Sequence, residues 1–346
     1  MTPPSPFRCG RSQARYSPPH RLSGKPGVES ERSDPPMLAR FPKSSVILGV
    51  IFGVLLASYA PSVLAQASAA ADKSSGPANP AASVSVQDQR LTITVADRSF
   101  ALAARIFRPS GAGPFPLVVI NHGTPVSIAE APRMTLGFAN AAQWFAQQGN
   151  IVVVALRPGF GNSQGPYMEA SAANCANRDY VRDGLRTALV EAAIVESAAA
   201  LPGVDANRIV VVGHSAGGFG AIALGDALPH GVVGIISFAG GRGGDDHEHI
   251  CGGVQRLVDA TGVFGKANRV PQLWLYAAND HFFAPELAHA MAQAYQAGSG
   301  PNIRVIDLPA FGDDGHMTFP NADPAVWAPS VSAFLAQVMK RTSESR

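Results

Sequence analysis

The sequence predicts a doubly wound α/β fold: a mostly parallel sheet with helices on both faces, an N-terminal antiparallel hairpin and a minimal cap. Three observations carry this. The chain is 46% hydrophobic and 15% charged, which supports a sizeable core and argues against global disorder. From residue 115 onward apolar runs are continuous rather than alternating: FPLVVI, IVVVAL, IVVVG, VVGIISF, LWLYA and IRVIDL. Such runs suit strands buried on both faces, as in a parallel sheet. Helical stretches lie between most of them, and strand–helix alternation with right-handed crossovers builds a three-layer sandwich.

Residues 1–67 read as an extension plus an export signal. Val46 to Ala60, VILGVIFGVLLASYA, is an apolar run preceded by Arg40 and Lys43 and followed by Pro61 and Ala65-Gln66-Ala67. That is the three-part layout of a secretory signal, with cleavage expected after Ala67. A membrane anchor is the competing reading, but the run is short of the ~20 residues that span a bilayer. Residues 1–36 are rich in Pro, Arg and Ser, and Met37 opens a signal of ordinary length, so translation is expected to start at Met37. The expected location is secreted or periplasmic.

Charge follows the same division. Eight of the 27 basic residues and three of the 25 acidic ones precede residue 68, which leaves the rest of the chain at −3 with no basic block. Nucleic-acid binding is not expected, nor membrane association after cleavage.

Residues 68–86 form a small-residue linker, and the catalytic domain is expected over 87–342. Leu91, Ile93 and Val95 alternate, as do Leu102, Ala104 and Ile106, with an Asp97-Arg98 turn between them, which predicts a hairpin with one exposed face. Phe138, Ala141, Ala142 and Phe145 share one helix face, and Val181, Leu185, Ala188, Ala192 and Val195 form a longer stripe. Gly149 and Pro202-Gly203 end these two helices. Further helices are expected after Ser215, over about 285–296 and over about 325–340.

Reactive groups of such sheets gather past the carboxyl ends of the strands. Past IVVV the chain reads Gly213-His214-Ser215-Ala216-Gly217, past LWLYAAN it reads Asp280-His281, and past IRVIDLPAF it reads Gly312-Asp313-Asp314-Gly315-His316. A serine hydroxyl is a weak nucleophile. It needs a base within hydrogen-bond reach, and that base needs a carboxylate to fix its tautomer. Ser215 is therefore the candidate nucleophile, Asp280 the acid and His316 the base, in the chain order Ser–Asp–His. A plain turn serine is the alternative for Ser215. Gly213 and Gly217 suit a strand-to-helix turn too tight for a Cβ.

Two N–H donors are needed for the developing oxyanion. The amide of Ala216 is one. Thr124, in the loop after PLVVI, is the other, with Gly123 behind it; Pro125 has no N–H. Possible pocket residues are His122, Phe160, Arg242 and His281. Arg242 could clamp a substrate carboxylate or pair with a neighbouring acid, and His281 could line the pocket or cap its turn. His214 is expected beside the sheet edge, and Asp313 and Asp314 as solvated loop acids. Cys175 and Cys251, both in polar loops, are a possible disulfide or two separate thiols. The loop GGRGGDDHEHICGG (240–253) could bind a metal or be a solvated pocket rim; no metal or cofactor is expected for serine chemistry.

Together VVINHGTP, RPGFGNSQG, LPGVDANRIVVVGHSAGG, LYAANDHFF and DDGHMTF resemble the α/β-hydrolase superfamily, closest to its dienelactone-hydrolase-like esterases, over about residues 90–340. The resemblance implies a serine esterase with Ser215, Asp280 and His316 in the three catalytic positions and a small-molecule ester as substrate. Dienelactone hydrolase itself uses a cysteine nucleophile, so its lactone substrate does not carry over. About thirty residues separate GIISF from LWLYA, too few for the large mobile cap of a long-chain lipase. The rival readings are a peptidase of the prolyl-oligopeptidase type and a catalytically silent binding module on the same fold. Oligomeric state is not legible.

Overall fold

The computed structural model describes residues 83–169, 174–298 and 303–340. The extension, the signal, Met37, the Ala67 cleavage site and most of the linker lie outside the described residues. The expected linker ends early: β1 (Val84–Val95) already includes its last three residues.

β1 pairs with β2 (Arg98–Pro109) over their full lengths. The hairpin turns at Ala96 and Asp97, both at positive φ (49° and 61°), one residue earlier than the Asp97-Arg98 turn read from the sequence. Two positive-φ central residues match the right-handed twist of the flanking strands.

There follow β3 (Phe115–Asn121), α1 (Ala139–Gln147), β4 (Ile151–Ala155), α2 (Tyr180–Ala199), β5 (Val204–His214), α3 (Ala216–Ile222), β6 (Val232–Phe238) and α4 (Val254–Ala267). The chain continues with β7 (Gln272–Ala277), α5 (Pro285–Ala297), β8 (Ile303–Leu308), α6 (Thr318–Asn321) and α7 (Ala328–Val338). The eight strands form one sheet in the order β1-β2-β4-β3-β5-β6-β7-β8. β2 meets β4 antiparallel, and every pairing from β4 to β8 is parallel.

The apolar runs alternate between two cores. Val119, Val211, Ile235 and Trp274 join one cluster with α2, α3, α4 and α5. Val118, Val210, Ile236 and Leu273 join the other with α1 and α7. A strand with both faces covered must be apolar at every position, which is why these segments read as unbroken runs.

Two helix expectations change. The stripe on α2 does not face inward throughout: Leu185 is 42% exposed, while Asp183, Gly184, Thr187 and Glu191 are buried. Gly184 faces the rings of Phe264 and Phe219, where a side chain would clash, and the buried polar residues belong to a charged network described below. The sequence pattern does not single out the helix α4, which lies in the connection between β6 and β7.

Candidate active site

Ser215 stands alone between β5 and α3, with φ 54° and ψ −122°. An L-residue adopts such values only when its surroundings enforce them. Its N–H donates to the Phe238 carbonyl at 3.0 Å, and its carbonyl accepts from Gly241 N at 3.2 Å and Phe219 N at 2.9 Å. A Cβ on Gly217 would run into the His122 and Asn121 carbonyls, so the turn closes only with glycine there. The strain lifts the Ser215 side chain out of the helix and toward a cavity of about 590 Å³.

His316 borders the same cavity. It sits in a short 3₁₀ turn whose N-cap, Asp314, accepts from the His316 N–H at 2.9 Å and from the His281 N–H at 3.2 Å. Asp314 is thus a lacing residue between two loops, not the solvated acid expected. Asn279 reinforces the link: its Oδ1 accepts from Phe311 N at 2.9 Å, and its carbonyl accepts from Gly315 N at 2.9 Å.

Asp280 is buried past β7. His316 Nδ1 lies 3.1 and 3.2 Å from its two oxygens, and Oδ1 also accepts from the amides of Phe282 and Phe283 at 2.9 Å. A carboxylate in such a bond makes Nδ1 the protonated nitrogen and leaves Nε2 bare. The Phe282 ring stacks on the imidazole at 4.3 Å. The Ser215 hydroxyl makes no hydrogen bond among the described residues.

Neither a protein-family model nor a curated protein matches this chain at the sequence level. Solved structures do match. An esterase from Pyrococcus furiosus superposes with a TM-score of 0.52 at 14% identity, covering 74% of this chain and 92% of that one. The acylaminoacyl peptidase of Pyrococcus horikoshii superposes with a TM-score of 0.51 at 14% identity, covering 75% of this chain and 43% of that longer one. The chain has the α/β-hydrolase fold.

In this α/β-hydrolase fold the turn after β5 carries Ser215, and the loops after β7 and β8 carry Asp280 and His316. Ala216 and Thr124 both line the cavity. Ala216 opens α3, where the first amides have no intrahelical partner. Gly123 flanks the nucleophile: a Cβ there would sit 2.9 Å from Ser215 Cβ.

The four possible pocket residues divide. His122 lines the cavity but is buried, with Nε2 accepting from Arg157 N at 3.0 Å and Nδ1 meeting Gly123 O at 2.6 Å. Burial and the Arg157 charge push its imidazole well below the ordinary range, so it is a neutral brace for the Thr124 loop. Arg242 also lines the cavity. Phe160 does not: it is buried against His122 and Tyr167. The apolar ring is worth more beneath the loop than beside water. His281 stands outside the cavity wall too, its carbonyl accepting from Glu248 N at 2.9 Å.

Cys175 and Cys251 form a disulfide. In the 240–253 loop, Asp245 Oδ1 accepts from His247 N and His249 N, and both histidine side chains are exposed. Among the described residues no group of three or more His, Cys, Asp or Glu is placed to hold a metal. The sequence reading missed Tyr167, Arg178, Phe282 and Phe283 as cavity walls. Only Phe282 and Phe283 had a signal, their position directly after Asp280-His281.

Proposed function

We propose that the chain is a serine hydrolase that cleaves carboxylic esters of small to medium size through an acyl-enzyme on Ser215. The reading is carried by one observation: an imidazole held by a buried carboxylate shares a cavity with a serine on a strained strand-to-helix turn. In this mechanism Ser215 Oγ attacks the ester carbonyl carbon while its proton passes to His316 Nε2. The oxyanion is met by the Ala216 amide and by an amide of the Gly123–Thr124 segment. Collapse expels the alkoxide, which takes the proton from His316. Water then attacks the acyl carbon, His316 again accepting a proton, and the carboxylic acid leaves as Ser215 is restored. Asp280 keeps its hold on His316 Nδ1 and stabilises the imidazolium.

The motifs that resemble dienelactone-hydrolase-like esterases support this reading. We also place the mature chain outside the cytoplasm, on the strength of the apolar run before Ala67 and the Cys175–Cys251 pairing. An N-terminus at Ser68 in exported protein tests that placement.

A fluorophosphonate probe tests the chemistry. Wild type is expected to be labelled and Ser215→Ala not. Absence of labelling in folded wild type would reject the enzyme and leave a binding module. Esters of graded acyl length, run beside aminoacyl-arylamides, test the substrate class; faster turnover of the amides would redirect the assignment to a peptidase.

A further inference from the structure

One wall of the Ser215 cavity is built from arginines. Arg178 and Arg242 both line it, together with Tyr167. Behind them, Arg157 holds Glu169 through Nε and, at 3.3 Å, through Nη2. Arg178 Nε holds Asp183 at 2.6 Å. Arg242 must share these same two carboxylates, at 3.5 Å from Glu169 and 3.8 Å from Asp183. Its hydrogen bonds go instead to neutral oxygens, Thr187 Oγ1 at 3.1 Å and the Tyr167 hydroxyl at 2.5 Å. Its Nε is buried with no hydrogen-bond partner among the described residues.

A third acid, Glu191, is close by but forms no ion pair with any of these guanidinium groups. Among the described residues both its oxygens are buried without a hydrogen-bond partner, and burial pushes its carboxyl well above the usual carboxylate range against the pull of Arg157 and Arg242. Among the described residues, three guanidinium groups thus share two ion-paired carboxylates. A buried cation without a carboxylate of its own is costly, and a ligand anion removes that cost.

The position suits a substrate group. Gly241, which precedes Arg242, donates its N–H to the Ser215 carbonyl. Tyr167 accepts from Arg242, which leaves its own O–H free to donate. The remaining walls include Val126, Ile128, Phe282 and Met317, which favour a short apolar portion. We propose that Arg242, with Arg178 and Tyr167, forms an anion subsite in the Ser215 cavity, and that the substrate is an ester carrying a carboxylate on its acyl or its alcohol part. A guanidinium fork without a carboxylate of its own matches a substrate carboxylate. The inference rests on Ser215 being the nucleophile.

Two matched pairs test it. On the acyl side, 4-nitrophenyl hemiglutarate is compared with 4-nitrophenyl valerate. On the alcohol side, 4-acetoxybenzoate is compared with 4-acetoxybenzamide. Rates are corrected for uncatalysed hydrolysis. In at least one pair kcat/KM is expected to favour the carboxylate by about tenfold or more, the worth of a charge-assisted hydrogen bond. Arg242→Gln is expected to bring that ratio toward one; if it does not fold, Arg178→Gln, whose side chain is partly exposed, takes its place. An enzyme that cleaves the neutral esters as well as or better than both anionic ones overturns the subsite. A preference that survives Arg242→Gln overturns the assignment to Arg242. No turnover of any of the four substrates, with no fluorophosphonate labelling, strikes the nucleophile reading itself and this inference with it.

Discussion

His214 Nε2 donates to the backbone carbonyl of His316 at 2.8 Å, and the two imidazole rings lie 4.8 Å apart. A carbonyl only accepts, so Nε2 carries the proton. The residue before the nucleophile thus holds the loop of the base, and Phe282 stacks on the base as well. The serine turn and the histidine loop, far apart in sequence, are tied by a bond that involves neither reacting atom.

That bond predicts a positioning role. His214→Ala is expected to lower kcat by roughly 10- to 100-fold, the scale of a small misplacement of a catalytic group. KM should change little, and His214→Gln, which keeps an N–H donor, should restore part of the rate. Steady-state kinetics on a neutral ester check this. Equal damage from both variants, or an effect on KM alone, would contradict it.

The same histidine makes stability depend on pH. Burial, aided by the His316 charge, lowers the His214 imidazole to about 3, against about 6.5 in the unfolded chain. The unfolded state then binds more protons between these values, so stability is present above about pH 6.5 and is lost as pH falls toward 3. The Tm of wild type should decline across that window, and His214→Gln should flatten part of the decline. Parallel curves for the two proteins would show that His214 stays unperturbed.

Glu191 predicts the opposite slope. Its folded carboxyl is raised by burial, so its contribution is complete below about 4.5 and is lost as pH rises toward its folded value. Glu191→Gln keeps the shape and removes the ionisation. The variant is expected to gain Tm over wild type increasingly from pH 5 to pH 9; a constant difference would count against a buried, protonated Glu191.

Strain at Ser215 can be read from two inactive variants. Positive φ costs a non-glycine residue ~1–3 kcal/mol, of which glycine's larger chain entropy returns part. Ser215→Gly should therefore exceed Ser215→Ala in stability by about 1 kcal/mol, or ~2–4 °C in Tm. Equal Tm values would mean that the turn is relaxed in solution.

The Cys175–Cys251 bond closes a loop with a sequence separation of 76 residues. Chain-entropy reasoning gives it about 4 kcal/mol of stabilisation. Reduction should lower Tm by roughly 10 °C. Denatured, unreduced mature protein should show no titratable thiol, and two after reduction. Two thiols before reduction would rule the bond out.

The strands were legible because burial on both faces demands runs such as IVVVAL. The placement of Ser215, Asp280 and His316 past three strand ends was legible because chain order and turn chemistry are local properties. The face of α2 was not. A stripe containing Leu185 looked buried, but the true inward face also carries Asp183, Thr187 and Glu191, whose surroundings include Arg157 past β4, the loop of Glu169 and the segment of Arg242. Phe160 and His281 were misjudged for a related reason: position past a strand says that a residue is near the rim, not which way its side chain turns.

From the amino-acid order alone came the layered sheet, the tight serine turn and the three polar groups available at its rim. The tertiary structure alone decided that His214 braces His316, that Asp314 laces two loops, and that Arg242 is left without a carboxylate of its own. Backbone pattern is set by neighbours along the chain, whereas hydrogen bonds and charge balance are set by neighbours across it, and only folding brings those together.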